Sequence, residues 1–255
     1  MVKIILSGCG GTMGQVVLKR AGARGDCTVV AGIDPNAQCG EEFPVFAAPQ
    51  SCDVTADVIV DFSHPAALDG LLALAERLNI PLVLATTGLS REQIEAVHSA
   101  AQRVPIFFTF NMSLGINLMC ALAKAATRVL GGQFDIEIVE KHHNKKIDAP
   151  SGTAIMLANA VSHELAAKPD YVYERQSTRQ KRGKNEIGLH AIRGGTIVGE
   201  HELLFAGQDE TLSITHTAYS KEVFATGALS AAVFMLGKSP GLYDMNDLIA
   251  DTQQA

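Results

Sequence analysis

The sequence contains no tryptophan, and aromatic residues make up only 5% of its 255 residues. Its core must therefore be built from valine, isoleucine, leucine and alanine, as in sheets that helices cover on both faces. The apolar fraction of 47% excludes intrinsic disorder. At about 150 residues per domain, the length predicts one large α/β domain or two modest ones.

Cysteine pairs and cysteine motifs are also lacking. The five cysteines are an odd number without C-x-x-C spacing, and they are Cys9, Cys27, Cys39, Cys52 and Cys120. This pattern indicates neither a disulfide framework nor a zinc knuckle, and we expect no metal site. A reducing compartment, the cytoplasm, is the expected location.

Long apolar runs and a basic excess are missing as well. The apolar run at 1–8 is too short for a signal peptide, and the uncharged stretch at 104–123 is broken by proline, glycine and asparagine. The chain has 21 Lys and Arg against 27 Asp and Glu, a net charge of −6. We therefore expect neither a nucleic-acid partner nor a membrane partner.

The first half of the chain alternates β-branched runs with helical patterns, which is typical of βαβ units and a parallel sheet. The predicted strands are Val2–Ser7, Thr28–Ile33, Val58–Asp61, Pro81–Ala85 and Ile106–Thr109. The predicted helices begin near Met13, Pro65 and Ser90. An α/β fold with at least five strands and crossover connections follows.

The second half has a different pattern. Ser113 can cap a helix that carries Leu114, Leu118, Leu122 and Val129, and Ser151 opens another. Residues 136–140 form a predicted half-exposed strand, and the polar stretch 168–195 is interpreted as a solvated loop. Alternating segments at 187–193, 196–204 and 210–218 predict an antiparallel sheet, and a last helix covers about 222–236.

A glycine-rich loop joins the first predicted strand to the first predicted helix. It consists of Gly8, Cys9, Gly10, Gly11, Thr12 and Met13, followed by Gly14. Glycines there let the backbone approach a pyrophosphate at a helix N-terminus, although a plain tight turn is the alternative. Asp34 lies 20 residues beyond Gly14, where an acid binds the adenosine ribose, and this favours dinucleotide binding.

The same region predicts NADH as the preferred cofactor, with NADPH use possible. Pro35 and Asn36 follow Asp34, and the glycine loop contains no cation for a ribose phosphate. Two further loops follow predicted strands and are candidates to line the nicotinamide half, or simple turns. Their residues are Ala85, Thr86 and Thr87, and Thr109, Phe110, Asn111 and Met112.

The segment 140–154, EKHHNKKIDAPSGTA, carries the strongest chemical signal. Lys141, His142, His143, Lys145 and Lys146 are basic and precede a helix start, which predicts a pocket for a small dianion. Backbone N–H groups at Gly152 and Thr153 can bind a carboxylate. Imidazole and ammonium groups can donate the proton that a hydride reduction of a C=N or C=C bond requires. A metal site and a solvated basic loop are the alternatives.

These residues resemble the 4-hydroxy-tetrahydrodipicolinate reductase family, also called dihydrodipicolinate reductase, over nearly the whole chain. Segment 140–154 is its most specific part, and the glycine loop, Asp61-Phe62-Ser63, Thr86-Thr87-Gly88, residues 111–117, 193–201 and 241–245 are also similar. The resemblance implies NAD(P)H-dependent reduction of a cyclic dicarboxylate imine, with loss of water, in the diaminopimelate route to lysine. Two departures from the family pattern stand out: Ala85 lies where the family often has glycine, and Thr12 and the Pro35-Asn36 pair lie where NADPH-using members carry basic residues.

By the same resemblance, His142 is a proton donor or acceptor and Lys146 protonates the reduced ring. His143, Gly152 and Thr153 would hold the substrate carboxylates, and residues 8–13, 34, 85–87 and 109–112 the cofactor. The implied architecture is a discontinuous Rossmann-like dinucleotide domain at 1–111 and 222–255. An α+β domain at 112–221, with an open mixed sheet, would bind substrate and form a homotetramer.

Two other functions remain open at this point. A dehydrogenase of another small acidic imine or amino acid would keep the cofactor site and change only the substrate. A nucleotide-sensing regulator would bind NADH without chemistry, and it would not need His142 and Lys146 beside a carboxylate site.

Overall fold

The computed structural model describes residues 1–36 and 42–252, so Cys39 lies outside the described residues. Its strands and helices, in chain order, are β1 (Val2–Ser7), α1 (Thr12–Gly22), β2 (Cys27–Ile33), β3 (Val45–Phe46), β4 (Val58–Asp61), α2 (Leu68–Leu78), β5 (Leu82–Leu84), α3 (Arg91–Ala100), β6 (Pro105–Phe108), α4 (Leu114–Leu130), β7 (Asp135–His142), α5 (Gly152–Ser162), β8 (Asp170–Val172), β9 (Glu186–Arg193), β10 (Gly199–Ala206), β11 (Thr211–Ala218), α6 (Glu222–Phe234), β12 (Gly241–Tyr243) and α7 (Met245–Thr252). The five strands predicted before residue 110 are confirmed, each within one residue of its expected bounds.

The chain divides into two compact units. The first comprises Met1–Leu114 and Lys221–Ala255, and the second comprises Gly115–Ser220. Among residues 1–36 and 42–252, no helix has both the length and the apolar composition needed to span a bilayer.

The first unit contains a seven-stranded sheet in the order β12-β6-β5-β4-β1-β2-β3, in which every pair is parallel. Alternate side chains of β1 enter different cores. Ile4 and Leu6 pack in the cluster that contains Val17 of α1, whereas Ile5 packs in the cluster that contains Leu71 of α2. Because helices cover both faces, Ile4, Ile5 and Leu6 form a continuous apolar run in β1, as is typical of buried parallel strands. The predicted parallel α/β sheet is confirmed.

The strand order of this sheet locates a ligand site. The order in which the chain adds strands reverses at β1, since β2 and β3 lie on one side of it and β4, β5 and β6 on the other. Ligands of open α/β sheets bind beyond the carboxyl ends of the strands at such a reversal. The glycine loop follows β1 at this position.

The second unit contains a five-stranded mixed sheet in the order β11-β10-β7-β9-β8. The antiparallel pairing predicted from alternation is wrong for half of it: β10 is antiparallel to β7 and β11, but β7, β9 and β8 are parallel. The chain crosses over through α5 between β7 and β9, which makes these two strands parallel. The segment interpreted as a loop at 168–195 contains β8 and all of β9.

Helices α4 and α5 bury one face of this mixed sheet. Met119 of α4 and Leu157 of α5 share a core with Ile136, Ile138 and other inward residues of the sheet. The α4 side chains singled out by sequence lie mainly on the opposite side, because Leu118, Leu122 and Val129 are exposed. Helix α4 is apolar on more than one face, so its spacing alone cannot identify the packed face.

Candidate active site

The glycine loop of the first unit is held so closely by backbone that side chains are excluded at two positions. Gly8 has φ of +78°, and a Cβ there would lie 2.6 Å from the carbonyl oxygen of Phe62. A Cβ on Gly14 would lie 2.1 Å from the carbonyl oxygen of Gly8. Helix α1 then begins without an acidic residue or a side-chain cap in its first turn. This open helix start, next to bare backbone, fits a dinucleotide pyrophosphate.

Asp34 follows β2 and contacts the glycine loop directly. One carboxylate oxygen accepts a hydrogen bond from Gly10 N at 3.0 Å, and the other accepts from Asn36 N at 2.9 Å. Cys9 is buried in the same loop, and its pKa is raised by burial and by the charge of Asp34. The structure therefore brings Asp34 and the glycine loop together, as the sequence predicts.

Asp61, at the carboxyl end of β4, is a buried residue to which sequence analysis gave no role. It accepts hydrogen bonds from the Ser63 backbone and hydroxyl at 3.1 and 2.5 Å and from the Thr86 hydroxyl at 2.6 Å. Burial raises the pKa of Asp61, although these hydrogen bonds oppose the shift. The Thr86 hydroxyl is thus directed at Asp61, and the adjacent Ala85 N donates to the Asp61 carbonyl at 2.9 Å.

The loop after β6 divides its candidate residues between surface and core. Phe110 is 72% exposed and packs edge-to-face on Phe108, with ring centroids 5.4 Å apart. The Asn111 amide oxygen accepts from Ser113 N at 2.8 Å. Met112 is buried in the core, and a Cβ on Gly227 of α6 would lie 1.7 Å from its carbonyl oxygen. The Met112 side chain therefore packs in the core of the first unit.

In the second unit, alternation along β7 places Glu140 and His142 on the buried face, in phase with Ile136 and Ile138. A carboxylate oxygen of Glu140 lies 2.5 Å from Nδ1 of His142. Arg193, at the end of the neighbouring β9, donates from both terminal nitrogens to the two Glu140 oxygens at 2.7 Å. Ser151 N donates to the same carboxylate at 3.0 Å.

The charge of Glu140 is stabilised inside the protein by these donors. Burial by itself would raise the pKa of Glu140, but hydrogen bonds from Arg193 and His142 outweigh it and hold the pKa below its usual value. The guanidinium of Arg193 has a correspondingly raised pKa, chiefly because of Glu140. An ionised carboxylate therefore joins the end of β7 to the start of α5.

The start of α5 is open, as the predicted carboxylate site requires. Ser151 caps it, since its hydroxyl accepts from Ala154 N at 3.1 Å, and a Cβ on Gly152 would meet nothing within 4 Å. Thr153 is half-buried beside it. His201 of β10, which sequence analysis did not select, lies 2.9 Å from the Ser151 hydroxyl, and burial lowers its pKa to about 4.

The basic residues of segment 140–154 do not all lie on the face of the sheet that carries His142. Lys141 alternates away from His142 and pairs with Glu200 on β10, so the predicted basic pocket is wrong for Lys141. Lys145 is exposed, and His143 is half-buried. Lys146 lies 2.8 Å from the Asp148 carboxylate, and the Asp148 carbonyl accepts from Arg193. Within residues 1–36 and 42–252, no cluster of three metal-binding side chains occurs.

Comparison with known proteins follows the same division. The family profile described as "Dihydrodipicolinate reductase, N-terminus" matches residues 2–112, and that described as "Dihydrodipicolinate reductase, C-terminus" matches residues 115–249. The chain belongs to the dihydrodipicolinate reductase family. The resemblance found in the sequence is thereby confirmed.

Relatives of this family match along their whole length. The chain is 51% identical over 249 residues to a 4-hydroxy-tetrahydrodipicolinate reductase of Caldanaerobacter subterraneus, covering 98% of each protein. It is 48% identical over 250 residues to the reductase of the same name from Clostridium novyi, again covering 98% of each.

Solved structures agree in fold. A dipicolinate-bound dihydrodipicolinate reductase from Paenisporosarcina sp. TG-14 has a TM-score of 0.80 at 24% identity, covering 96% of this chain and 97% of that one. A scyllo-inositol dehydrogenase from Lactobacillus casei with bound NAD(H) has a TM-score of 0.57 at 13% identity, covering 99% and 90%. The predicted fold class, a Rossmann-like parallel sheet plus an open mixed sheet, is confirmed, and the first unit has a dinucleotide-binding fold.

Proposed function

We propose that this protein is a 4-hydroxy-tetrahydrodipicolinate reductase. It would reduce the cyclic dicarboxylate imine with NAD(P)H, consume a proton and release the ring hydroxyl as water, giving tetrahydrodipicolinate. The observation that carries this proposal is the junction at Glu140, where one carboxylate binds both His142 and the residue that precedes Gly152. A proton-transferring imidazole and an open helix start are thereby joined in one rigid element. Membership of the reductase family supports the same substrate.

Each unit has a proposed ligand. The bound nicotinamide dinucleotide supplies the hydride, and the first unit binds it through the glycine loop, Asp34 and the loops after β5 and β6. The second unit binds the substrate. Gly152 and Thr153 offer backbone donors to one carboxylate, and the His143 ring with the Lys146 ammonium offers side-chain donors to the other. A dianion suits this set of groups better than a neutral sugar or alcohol does.

Lys146 and His142 have the proposed proton-transfer roles. Lys146 protonates the reduced ring, because an ammonium group donates when charged, and His142 donates or accepts a proton near neutrality. In the structure the Lys146 ammonium pairs with Asp148 at 2.8 Å. A substrate carboxylate can compete for this ammonium, since Asp148 is a half-exposed surface carboxylate.

The decisive experiment is a coupled assay that follows NADH consumption while the preceding synthase generates the unstable substrate. Lys146→Ala and His142→Gln should each lower kcat by about 10²–10⁴-fold, the usual contribution of a general acid or base. The KM for NADH should change little. The matched control is Lys184→Ala, which removes an exposed lysine of the same unit. Unchanged kcat in both site variants would exclude the proposed roles.

We further propose that NADH is preferred over NADPH. The Asp34 carboxylate, held against Gly10 N, would repel a phosphate on the adenosine ribose. Paired initial-rate measurements should give a lower KM for NADH, and Asp34→Ala should narrow the difference. A lower KM for NADPH in the unchanged protein would refute this preference.

A homotetramer formed through the second unit completes the proposal. On the face opposite Ile136 and Ile138, its sheet carries apolar side chains: Val139 and Leu204 are half-buried, and Ile192 is 46% exposed. Exposed apolar side chains on a sheet face are suited to a subunit contact. Light scattering during size exclusion should give four times the chain mass of 27.0 kDa. A monomeric mass would refute it.

A further inference from the structure

Glu140 has a position that neither cofactor binding nor substrate binding explains. It lies on the inward face of β7, and its side chain has no exposure to solvent. A buried carboxylate needs compensation, and the bidentate hydrogen bonds from Arg193 already provide it. The additional contact with His142 therefore calls for a separate explanation.

That contact determines which ring nitrogen of His142 carries a proton. An ionised carboxylate only accepts hydrogen bonds, so the Nδ1 atom 2.5 Å from Glu140 must be the donor. In the neutral imidazole, Nε2 is then unprotonated and able to accept a proton. The lowered pKa of Glu140, which its hydrogen bonds from Arg193 and His142 maintain against burial, agrees with an ionised partner.

Strand β10 begins with a glycine beside Nε2 of His142. A Cβ on this residue, Gly199, would lie 3.1 Å from Nε2. Glycine therefore leaves space beside Nε2 that any other residue would fill. The His201 ring packs edge-to-face on His142, with centroids 5.2 Å apart, and its pKa of about 4, lowered by burial, keeps it neutral.

We propose that Glu140 is a positioning residue, which holds His142 in the tautomer protonated at Nδ1 and directs Nε2 toward the proton that it transfers. Arg193 and Ser151 N hold the carboxylate in turn. This inference rests on the proposed proton-transfer role of His142 and adds a group that acts only through it.

Glu140→Gln tests the proposal because glutamine has nearly the same shape. Its NH2 group can replace the oxygen that faces Ser151 N and Arg193, where it would meet two fixed donors. It can instead replace the oxygen that faces Arg193 and His142 Nδ1, where it meets only one fixed donor. The second placement is favoured, because His142 can move its proton to Nε2 and accept from the amide.

The first measurement is spectroscopic and independent of activity. Long-range proton–nitrogen correlation spectra of protein labelled with 15N-histidine distinguish the two tautomers, and His142→Gln identifies the relevant signals. The unchanged protein should show His142 protonated at Nδ1, and Glu140→Gln should shift it toward Nε2. An Nε2-protonated ring in the unchanged protein would overturn the proposal.

The second measurement is kinetic. Glu140→Gln should lower kcat by at least about 10-fold. The decrease should not exceed that of His142→Gln, because Glu140 acts only through His142, and a general acid or base contributes about 10²–10⁴-fold to the rate. The KM for substrate and the affinity for NADH should stay within about twofold, and the latter also reports that the first unit is folded. In a double-variant cycle, Glu140→Gln should have no further effect in the His142→Gln background.

Glu137→Gln is the matched control. Glu137 lies on the same strand and also contacts two arginines and a histidine, namely Arg175, Arg182 and His190, but none of them is in the candidate site. It should leave kcat nearly unchanged. If Glu140→Gln does not fold, Glu140→Asp keeps the charge beside Arg193, shortens the reach to Nδ1 and should lower kcat in the same way.

Failure of this inference differs from failure of the proposed function. If the unchanged protein does not consume NADH with the synthase-generated substrate, the proposed function itself fails, whereas unchanged kcat in His142→Gln removes only the proton-transfer role on which the inference rests. A low kcat in His142→Gln with independent, additive effects of Glu140→Gln would leave the function and refute the positioning role.

Discussion

Burial of His201 should make the free energy of unfolding decrease as the pH falls. The residue is 4% exposed, and burial lowers its pKa from 6.5 to about 4. The unfolded chain therefore binds a proton near pH 6.5 that the folded chain binds only near pH 4. Stability that is fully present above pH 6.5 is lost progressively as the pH falls through this window.

The magnitude follows from the size of the shift. One pKa unit corresponds to about 1.36 kcal/mol, so the full effect of the change from 6.5 to about 4 is about 3 kcal/mol. Between pH 7 and pH 5, titration of the unfolded state alone accounts for about 2 kcal/mol of it. Because the His201 ring is buried, solvent screening reduces this free energy little.

Urea denaturation followed by far-UV circular dichroism measures this directly, at pH 7 and at pH 5. His201→Gln removes the titrating group, so its free energy of unfolding should fall by about 2 kcal/mol less over this interval than that of the unchanged protein. His98→Gln, at an exposed position of α3, is the control and should behave as the unchanged protein does. An equal loss in His201→Gln and in the unchanged protein would refute the reasoning.

Two further predictions concern close packing. Gly14→Ala should abolish NADH binding in a fluorescence titration, because its Cβ would lie 2.1 Å from the Gly8 carbonyl oxygen, whereas Gly22→Ala, with nothing within 4 Å, should bind normally. Tight binding by Gly14→Ala would contradict this. Phe205→Ala should lower the free energy of unfolding by about 3–5 kcal/mol in urea denaturation, because the ring is fully buried, while Tyr219→Ala, 88% exposed, should change it by at most about 0.5 kcal/mol.

The first unit could be predicted well because its signals are local. Buried parallel strands are short apolar runs, and the glycine loop marks the turn after β1 in the sequence itself. The close approach of Gly14 to Gly8 involves two residues only six positions apart in the sequence. The hydrogen bond from Thr86 to Asp61 joins two different strand ends, and nothing local to either residue indicates it.

The second unit was predicted less well because its organisation depends on distant partners. Strand β9 pairs with β7 in parallel only because α5 and β8 intervene, and residue alternation is the same in parallel and antiparallel pairs. Helix α4 has apolar residues on several faces, and only the sheet decides that Met119 is packed while Leu118 is exposed. Tertiary contacts therefore determine the strand direction and the packed helix face, which residue spacing alone does not distinguish.

In strand β7, residue alternation and residue polarity give opposite predictions for the same two positions. Ile136 and Ile138 establish the inward phase, and two further steps of two residues reach Glu140 and His142, whose polar side chains suggest an exposed strand end. Burying both is unfavourable unless each polar group has a partner, and the partners come from elsewhere: Arg193 from β9, paired in register with His142, and Ser151 from the start of α5. The apolar phase of β7 thus continues into two ionisable residues, and the cost of burying them is offset by partners from other parts of the fold. The first residue that is buried by alternation although it is ionisable is Glu140, which is also the first residue of segment 140–154.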